Sequence, residues 1–188
     1  MSEQRQPDLP TKLMSVEEYL AWAEGRQGRY ELFDGVVYAM AAERAIHAIV
    51  KMAAHVALLD AVKRAGASCH VMPDGMTVPI NSDTSHEPDG LVYCGSPVAD
   101  SSMLIPNPII FLEVMSPSTK HVDSGLKFAG YFSRPSLHHY LIINPDRPLV
   151  IHHRRDGDAI ATRIHNAGPI SLDPPGLEVT VEDFYRRP

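Results

Sequence analysis

Between Glu43 and Ala65, Ile46, Ile49, Val50, Ala53, Val56, Ala57 and Leu58 recur at helical spacing, and Gly66 follows as a stop. This is the longest helical segment that the pattern predicts. A shorter helix precedes it in VEEYLAWAEG, where Ser15 suits an N-cap and Glu18 completes a capping box; Gly25 and Gly28 end it. RYELFDGVVYAM lies between the two helices and reads as two strands joined by Asp34-Gly35, a dipeptide suited to a type I′ turn. After Gly66 the periodicity shortens. SCHVM, MTVPI, DGLVY and IIFLEVM are strand-like runs broken by turns. A helix is expected from about His121 to Phe132, weakened by Gly125 and Gly130. HYLIINP and LVIHHRR then form strands around the turn Pro145-Asp146-Arg147-Pro148. Two short strands follow near Ala159–Ile164 and Leu177–Val179, and VEDFYRRP closes as a short polar helix. The order predicts an α/β fold with a mixed central sheet.

Composition narrows this picture. At 188 residues and 44% hydrophobic content, one domain over residues 13–188 is expected, after a flexible lead at 1–12. The polar, Pro-containing N-terminus does not read as a signal peptide. No uninterrupted apolar run approaches the roughly 20 residues that a bilayer needs, so no membrane partner is expected. Cys69 and Cys94 show no ligand spacing and fit reduced thiols in a cytoplasmic protein, with a single disulfide left open. The net charge of −6 counts against a broad basic surface for nucleic acid.

Several chemistries lose support on spacing. His138-His139 and His152-His153 are adjacent pairs in strand-like runs, so the members of each pair point to opposite faces. In SPSTK the S-x-x-K pattern would need a serine at 117, where Pro117 stands. Neither a G-x-G-x-x-G nor a P-loop signature occurs.

Three residues retain chemical interest: Asp89 in HEPDGLVY, Glu113 in FLEVMSPST and Lys127 in DSGLKFAGYF. Glu113 is a charge inside an apolar run, which is expensive unless it is paired. Neighbouring strands could bring Asp89 and Glu113 to one sheet edge, where two carboxylates call for a cation between them. Mg²⁺ suits such oxygen donors and activates water at a phosphate. A nearby lysine can orient that water. Structural readings stand beside these. Glu113 could cap the next helix, Asp89 could be a turn residue, and Lys127 could pair with Asp123 four residues earlier. Pro73-Asp74 is a rival Pro-Asp dipeptide, but between two strand-like runs it reads as a hairpin turn.

YELFDG, EPDGLVY, FLEVMSPST, the D-x3-K spacing of Asp123 and Lys127, and HHYLIINPDRP occur in order. Together they resemble the Uma-type family of restriction endonucleases within the PD-(D/E)XK nuclease superfamily, from about Met14 to Tyr185. The resemblance implies a restriction-endonuclease-like mixed sheet flanked by helices, with an N-terminal hairpin and extra C-terminal strands. It also implies a Mg²⁺-dependent endonuclease acting on DNA, with Mn²⁺ as the alternative ion. Asp89 and Glu113 match the metal ligands, with the Val114 carbonyl as the third. The lysine of the wider superfamily falls where Met115 stands, and Lys127 on the following helix takes its place. Glu31 matches an auxiliary acidic position, although it also reads as a plain strand residue. His47 matches a recurring helix histidine to which no role is assigned. A double-strand cut implies a homodimer. The competing expectation is a non-catalytic scaffold or interaction domain that keeps the fold. It draws on the acidic net charge and on the absence of a basic cluster beyond the arginine pairs at 154–155 and 186–187.

Overall fold

The computed structural model describes residues 9–116 and 124–187, with side chains from 127 onward in the second span. Helix α1 (Val16–Ala23) starts where Ser15 accepts from the Glu18 backbone N–H while the Glu18 carboxylate takes the Ser15 N–H. Strands β1 (Tyr30–Phe33) and β2 (Val36–Ala39) pair antiparallel with Phe33 opposite Val36. Asp34 and Gly35 both have positive φ, 47° and 76°, as a type I′ turn requires. Tyr19 on α1 donates its hydroxyl to the Tyr30 carbonyl, joining helix and hairpin around a small apolar cluster with Met14, Leu32 and Val37.

Helix α2 (Ala45–Ala65) ends at Gly66, whose φ of 60° lies in the left-handed region. The chain then builds a six-stranded sheet from β3 (Cys69–Pro73), β6 (Gly90–Cys94), β7 (Pro108–Val114), β8 (His139–Ile143), β9 (Val150–Asp156) and β10 (Ala159–His165). Its spatial order is β10-β9-β8-β7-β6-β3, and only β7 and β8 run parallel. Helix α3 (Ser124–Ser133) makes the parallel crossover between β7 and β8.

MTVPI yields only the short strand β4 (Val78–Pro79), which pairs with β5 (Ser85–His86) beside β1 in a separate four-stranded sheet. The Pro73-Asp74 turn therefore does not close a hairpin. It passes the chain from β3, which pairs with β6, to the smaller sheet. A strand absent from the sequence reading, β11 (Pro169–Leu172), pairs with β12 (Leu177–Thr180). The closing segment is a 3₁₀ helix, Val181–Tyr185, and it is not polar throughout. Val181 and Phe184 are buried in the core under α2.

Alternation along β7 divides the core. Ile110, Leu112 and Val114 face α2, whose Val50, Ala54, Leu58 and Ala61 pack on them. Phe111 faces the opposite way, toward Tyr131 of α3 and Tyr140. Helices on both faces make β7 a buried central strand, which is why it is almost continuously apolar. Each of its fully buried aliphatic side chains contributes roughly 1.5–3 kcal/mol.

Cys69 and Cys94 are cross-strand partners in the β3–β6 ladder and form a disulfide, so the reduced thiols expected from composition are replaced by the pairing left open. Register, invisible in the spacing, brings them together. Two histidines also meet across strands. His139 Nδ1 lies 2.9 Å from His152 Nε2, and His139 Nε2–H donates to the Pro174 carbonyl at 2.9 Å. Burial pushes His139 down to about 4 and His152 down to about 3, with neighbouring histidines and Arg154 adding to burial. Because both folded values lie below the ordinary value of 6.5, this stability is complete above pH 6.5 and is lost as pH falls toward 4. Chemical denaturation at stepped pH is expected to show a loss on the order of a few kcal/mol across that window. In His152→Phe the loss should shrink; an unchanged pH profile in that variant would remove the assignment.

Candidate active site

The sheet register sets the site. Gly90 pairs with Leu112, so Asp89 and Glu113 fall opposite each other where β6 begins and β7 ends. Asp89 is buried, and its Oδ2 accepts the Val114 backbone N–H at 2.8 Å. The peptide of Val114 thus stands between the two carboxylates.

Glu113 shares the face of Phe111 and points toward α3. Its Oε1 accepts the Tyr131 hydroxyl at 2.8 Å and lies 3.9 Å from Lys127 Nζ. Lys127 is buried, and its amine donates to Glu31 Oε1 at 2.9 Å. Along β1, Tyr30 and Leu32 are buried, which leaves Glu31 on the opposite face. There it also accepts the Glu87 backbone N–H. One lysine, Glu31 and Glu113 therefore converge from α3, β1 and β7.

A second group approaches from α2. Glu43 just before the helix, and His47 and Lys51 within it, are spaced four apart and so share one face. His47 Nε2–H donates to the Val114 carbonyl at 2.8 Å and lies 3.4 Å from Asp89 Oδ2, while Nδ1 faces Glu43 at 3.3 Å. Glu43, His47 and Asp89 each present a ligand atom within 4.8 Å of one another. Lys51 Nζ bonds Glu43 at 2.6 Å and Asp74 at 2.9 Å, and stands 3.7 Å from Asp89 Oδ1. Arg29 pairs with Glu43 and Asp74 and lies 3.6 Å from Glu87.

Six carboxylates, from Glu31, Glu43, Asp74, Glu87, Asp89 and Glu113, thus gather around three cations, Arg29, Lys51 and Lys127. The imbalance appears in their protonation. Burial, with repulsion from Asp89 and Glu31, pushes the Glu113 carboxyl up to about 8 against the pull of Lys127. Burial also raises Asp89, although the Val114 N–H, His47 and Lys51 oppose it. Glu87 is raised by burial and by Glu31 against the pull of Arg29. Burial acts the same way on Glu43 and Asp74, but Lys51 and Arg29 outweigh it and hold both below the ordinary range. Charge is therefore compensated at the Glu43–Asp74 end and left in excess near Asp89 and Glu113. An arrangement of this kind favours a cation with hard oxygen ligands. The Val114 carbonyl has a second lone pair beyond the one that His47 uses.

Of the residues singled out in the sequence, Glu113, Lys127 and Glu31 meet directly, and Asp89 joins them through the Val114 peptide. The helix-capping alternative for Glu113 and the Asp123 pairing of Lys127 involve residues 117–123, outside those described. Glu43, Lys51, Arg29, Glu87 and Tyr131 were not foreseen, and Asp74, set aside as a hairpin-turn residue, joins the cluster through Lys51 and Arg29. The i, i+4 series of Glu43, His47 and Lys51 was the available signal, but it looks the same as an exposed charged face until the sheet edge is placed beside it.

Comparisons with known proteins agree with this architecture. The family model Uma2, described as "Putative restriction endonuclease", matches residues 16–182. An uncharacterized Synechocystis sp. protein, slr1290, is 30% identical over 96% of this chain and 95% of its own length. A second one, sll1609, is 26% identical over 79% of this chain and 84% of its own. A crystal structure titled as a putative nuclease belonging to DUF820, from Anabaena variabilis, superposes with a TM-score of 0.70 at 14% identity. It covers 92% of this chain and 97% of that one, and shows the same fold. With its family match spanning most of the chain, this protein belongs to the Uma2 family.

Proposed function

We propose that this chain is a Mg²⁺-dependent endonuclease that hydrolyses phosphodiester bonds in DNA, with Mn²⁺ able to substitute. The observation that carries the reading is the uncompensated charge at the Asp89–Glu113 edge, where Glu113 is pushed up to about 8. Asp89, Glu113 and the Val114 carbonyl would hold the ion. When bound, it would lower the pKa of a water and stabilise charge on a phosphate oxygen. Lys127 would orient the attacking water or help deprotonate it from the α3 side. Glu31, sharing the Lys127 amine at 2.9 Å, would fix where that amine points. His47 would hold the Val114 carbonyl in place, since its Nε2–H already bonds that oxygen. Two copies acting together suit a double-strand cut.

The scaffold reading keeps one observation in its favour: Lys51 and Arg29 already neutralise part of the cluster. Titration calorimetry with Mg²⁺ and Mn²⁺, alongside plasmid cleavage, separates the two. Wild type is expected to bind and cut, and Asp89→Asn to weaken binding by about 10-fold or more and to lose cleavage. A wild type that binds neither ion would leave the scaffold reading standing.

A further inference from the structure

Lys51 and Arg29 share their acceptors atom for atom. Lys51 Nζ lies 2.6 Å from Glu43 Oε1 and 2.9 Å from Asp74 Oδ2. Arg29 Nη1 contacts the same two oxygens, at 2.7 Å and 2.9 Å. A carboxylate at the start of α2 and another in the turn after β3 are thus bridged twice by positive charge. Together the ammonium and the guanidinium carry the charge of one divalent ion. Lys51 Nζ also stands 3.7 Å from Asp89 Oδ1, whereas Asp89 Oδ2 accepts the Val114 N–H. One oxygen of Asp89 therefore faces the Val114 peptide and the other faces Lys51. Two-ion hydrolytic sites hold their ions about 3.5–4 Å apart, a spacing that one carboxylate spans with its two oxygens.

We infer that Lys51, backed by Arg29, occupies the position of a second divalent ion and so limits the site to one. The inference rests on the reading of Asp89 as an ion ligand. The donors around the Lys51 amine are those a cation would use. Glu43, His47 and Asp89 each present a ligand atom within 4.8 Å of one another, and Asp74 adds a further carboxylate. The amine is held where it stands. Lys51 follows Val50 on α2, which the core grips through Val50 and Ala54, and its side chain is only 14% exposed. A tethered ammonium neutralises these carboxylates through N–H donors, without the near-octahedral shell of oxygens and waters that Mg²⁺ demands. What remains is a place for one ion, at the Asp89–Glu113 edge where negative charge is still in excess.

Counting bound Mn²⁺ tests it, by calorimetry and by the electron paramagnetic resonance signal of the free ion, on the full chain without DNA. Wild type is expected to bind one ion. Lys51→Met, which keeps the apolar stem, and Lys51→Gln, which keeps a hydrogen-bond donor, should each bind two, with circular dichroism melts showing both variants folded. Lys51→Arg retains the charge and should stay at one. Adding Glu43→Gln to Lys51→Met should weaken the extra ion by about 10-fold or more and leave the first in place. Two ions on wild type would overturn the inference, as would a single ion on both neutral variants. A wild type that binds no ion, beside neutral variants that bind one, would sink the nuclease reading but uphold Lys51 as the resident cation. No ion on any of these proteins would overturn both.

Discussion

Glu113→Gln is expected to abolish metal-dependent cleavage while making the metal-free protein more stable. The cleavage loss should reach roughly 10²–10⁴-fold, because a metal that loses a charged ligand forfeits several kcal/mol of charge stabilisation. The stability gain follows from protonation. The folded carboxyl is pushed up to about 8 from an ordinary 4.5, so the folded state binds its proton more tightly than the unfolded chain does. Stability contributed by that proton is complete below pH 4.5 and is lost as pH rises toward 8. Glutamine carries no such penalty and still accepts the Tyr131 hydroxyl. At neutral pH the variant should therefore gain on the order of 1–3 kcal/mol. Urea denaturation at pH 5 and pH 8 would show the wild type weakening relative to the variant as pH rises. Retained cleavage in the variant would end the assignment of Glu113 as a ligand. An equal pH slope in both proteins would end the account of its protonation.

Lys127→Met should damage both stability and cleavage, and the two can be separated. The Lys127 amine is buried between Glu31 and Glu113, at 2.9 Å and 3.9 Å. Removing one partner of a buried ion pair leaves the other charge without compensation, at a cost of about 3 kcal/mol. Glu113, pushed up to about 8, already holds its proton for the most part at neutral pH, so the cost falls mainly on Glu31. Lys127→Met combined with Glu31→Gln is thus expected to recover much of the lost stability but none of the lost cleavage. Lys127→Arg keeps the charge and should keep most of the stability, yet its planar fork presents different donor positions to a water. If the Lys127→Met/Glu31→Gln protein cut plasmid at the wild-type rate, Lys127 would be a structural ion-pair residue and no more.

Local rules explain the parts that were legible beforehand. The Ser15–Glu18 capping box, the Asp34-Gly35 turn and the Gly66 stop each depend on a few adjacent residues, and each appears in the fold. The apolar run IIFLEVM was enough to mark a buried strand and to single out Glu113 within it. Asp89 and Lys127 emerged from ordered motifs that span much of the chain. Asp74 shows where this kind of reading stops. As a turn residue it was assigned correctly, but its turn crosses between two sheets and brings its carboxylate to Lys51 and Arg29. No local pattern distinguishes a hairpin turn from a crossover.

The sequence by itself determined most of the element order, the Asp34-Gly35 turn and which carboxylate would be costly to bury, because those depend on backbone sterics, period and solvation of neighbours. Only the tertiary structure decided who meets whom. It set Cys69 against Cys94 and His139 against His152, and it aimed Glu43, His47 and Lys51 at the Asp89 edge. Those pairings follow from strand register and helix docking, where a shift of one residue turns every side chain to the other face. Register is settled by the whole core at once. The charge excess beside Glu113 is a sum over β1, β7, α2 and α3, and it exists only after they have packed.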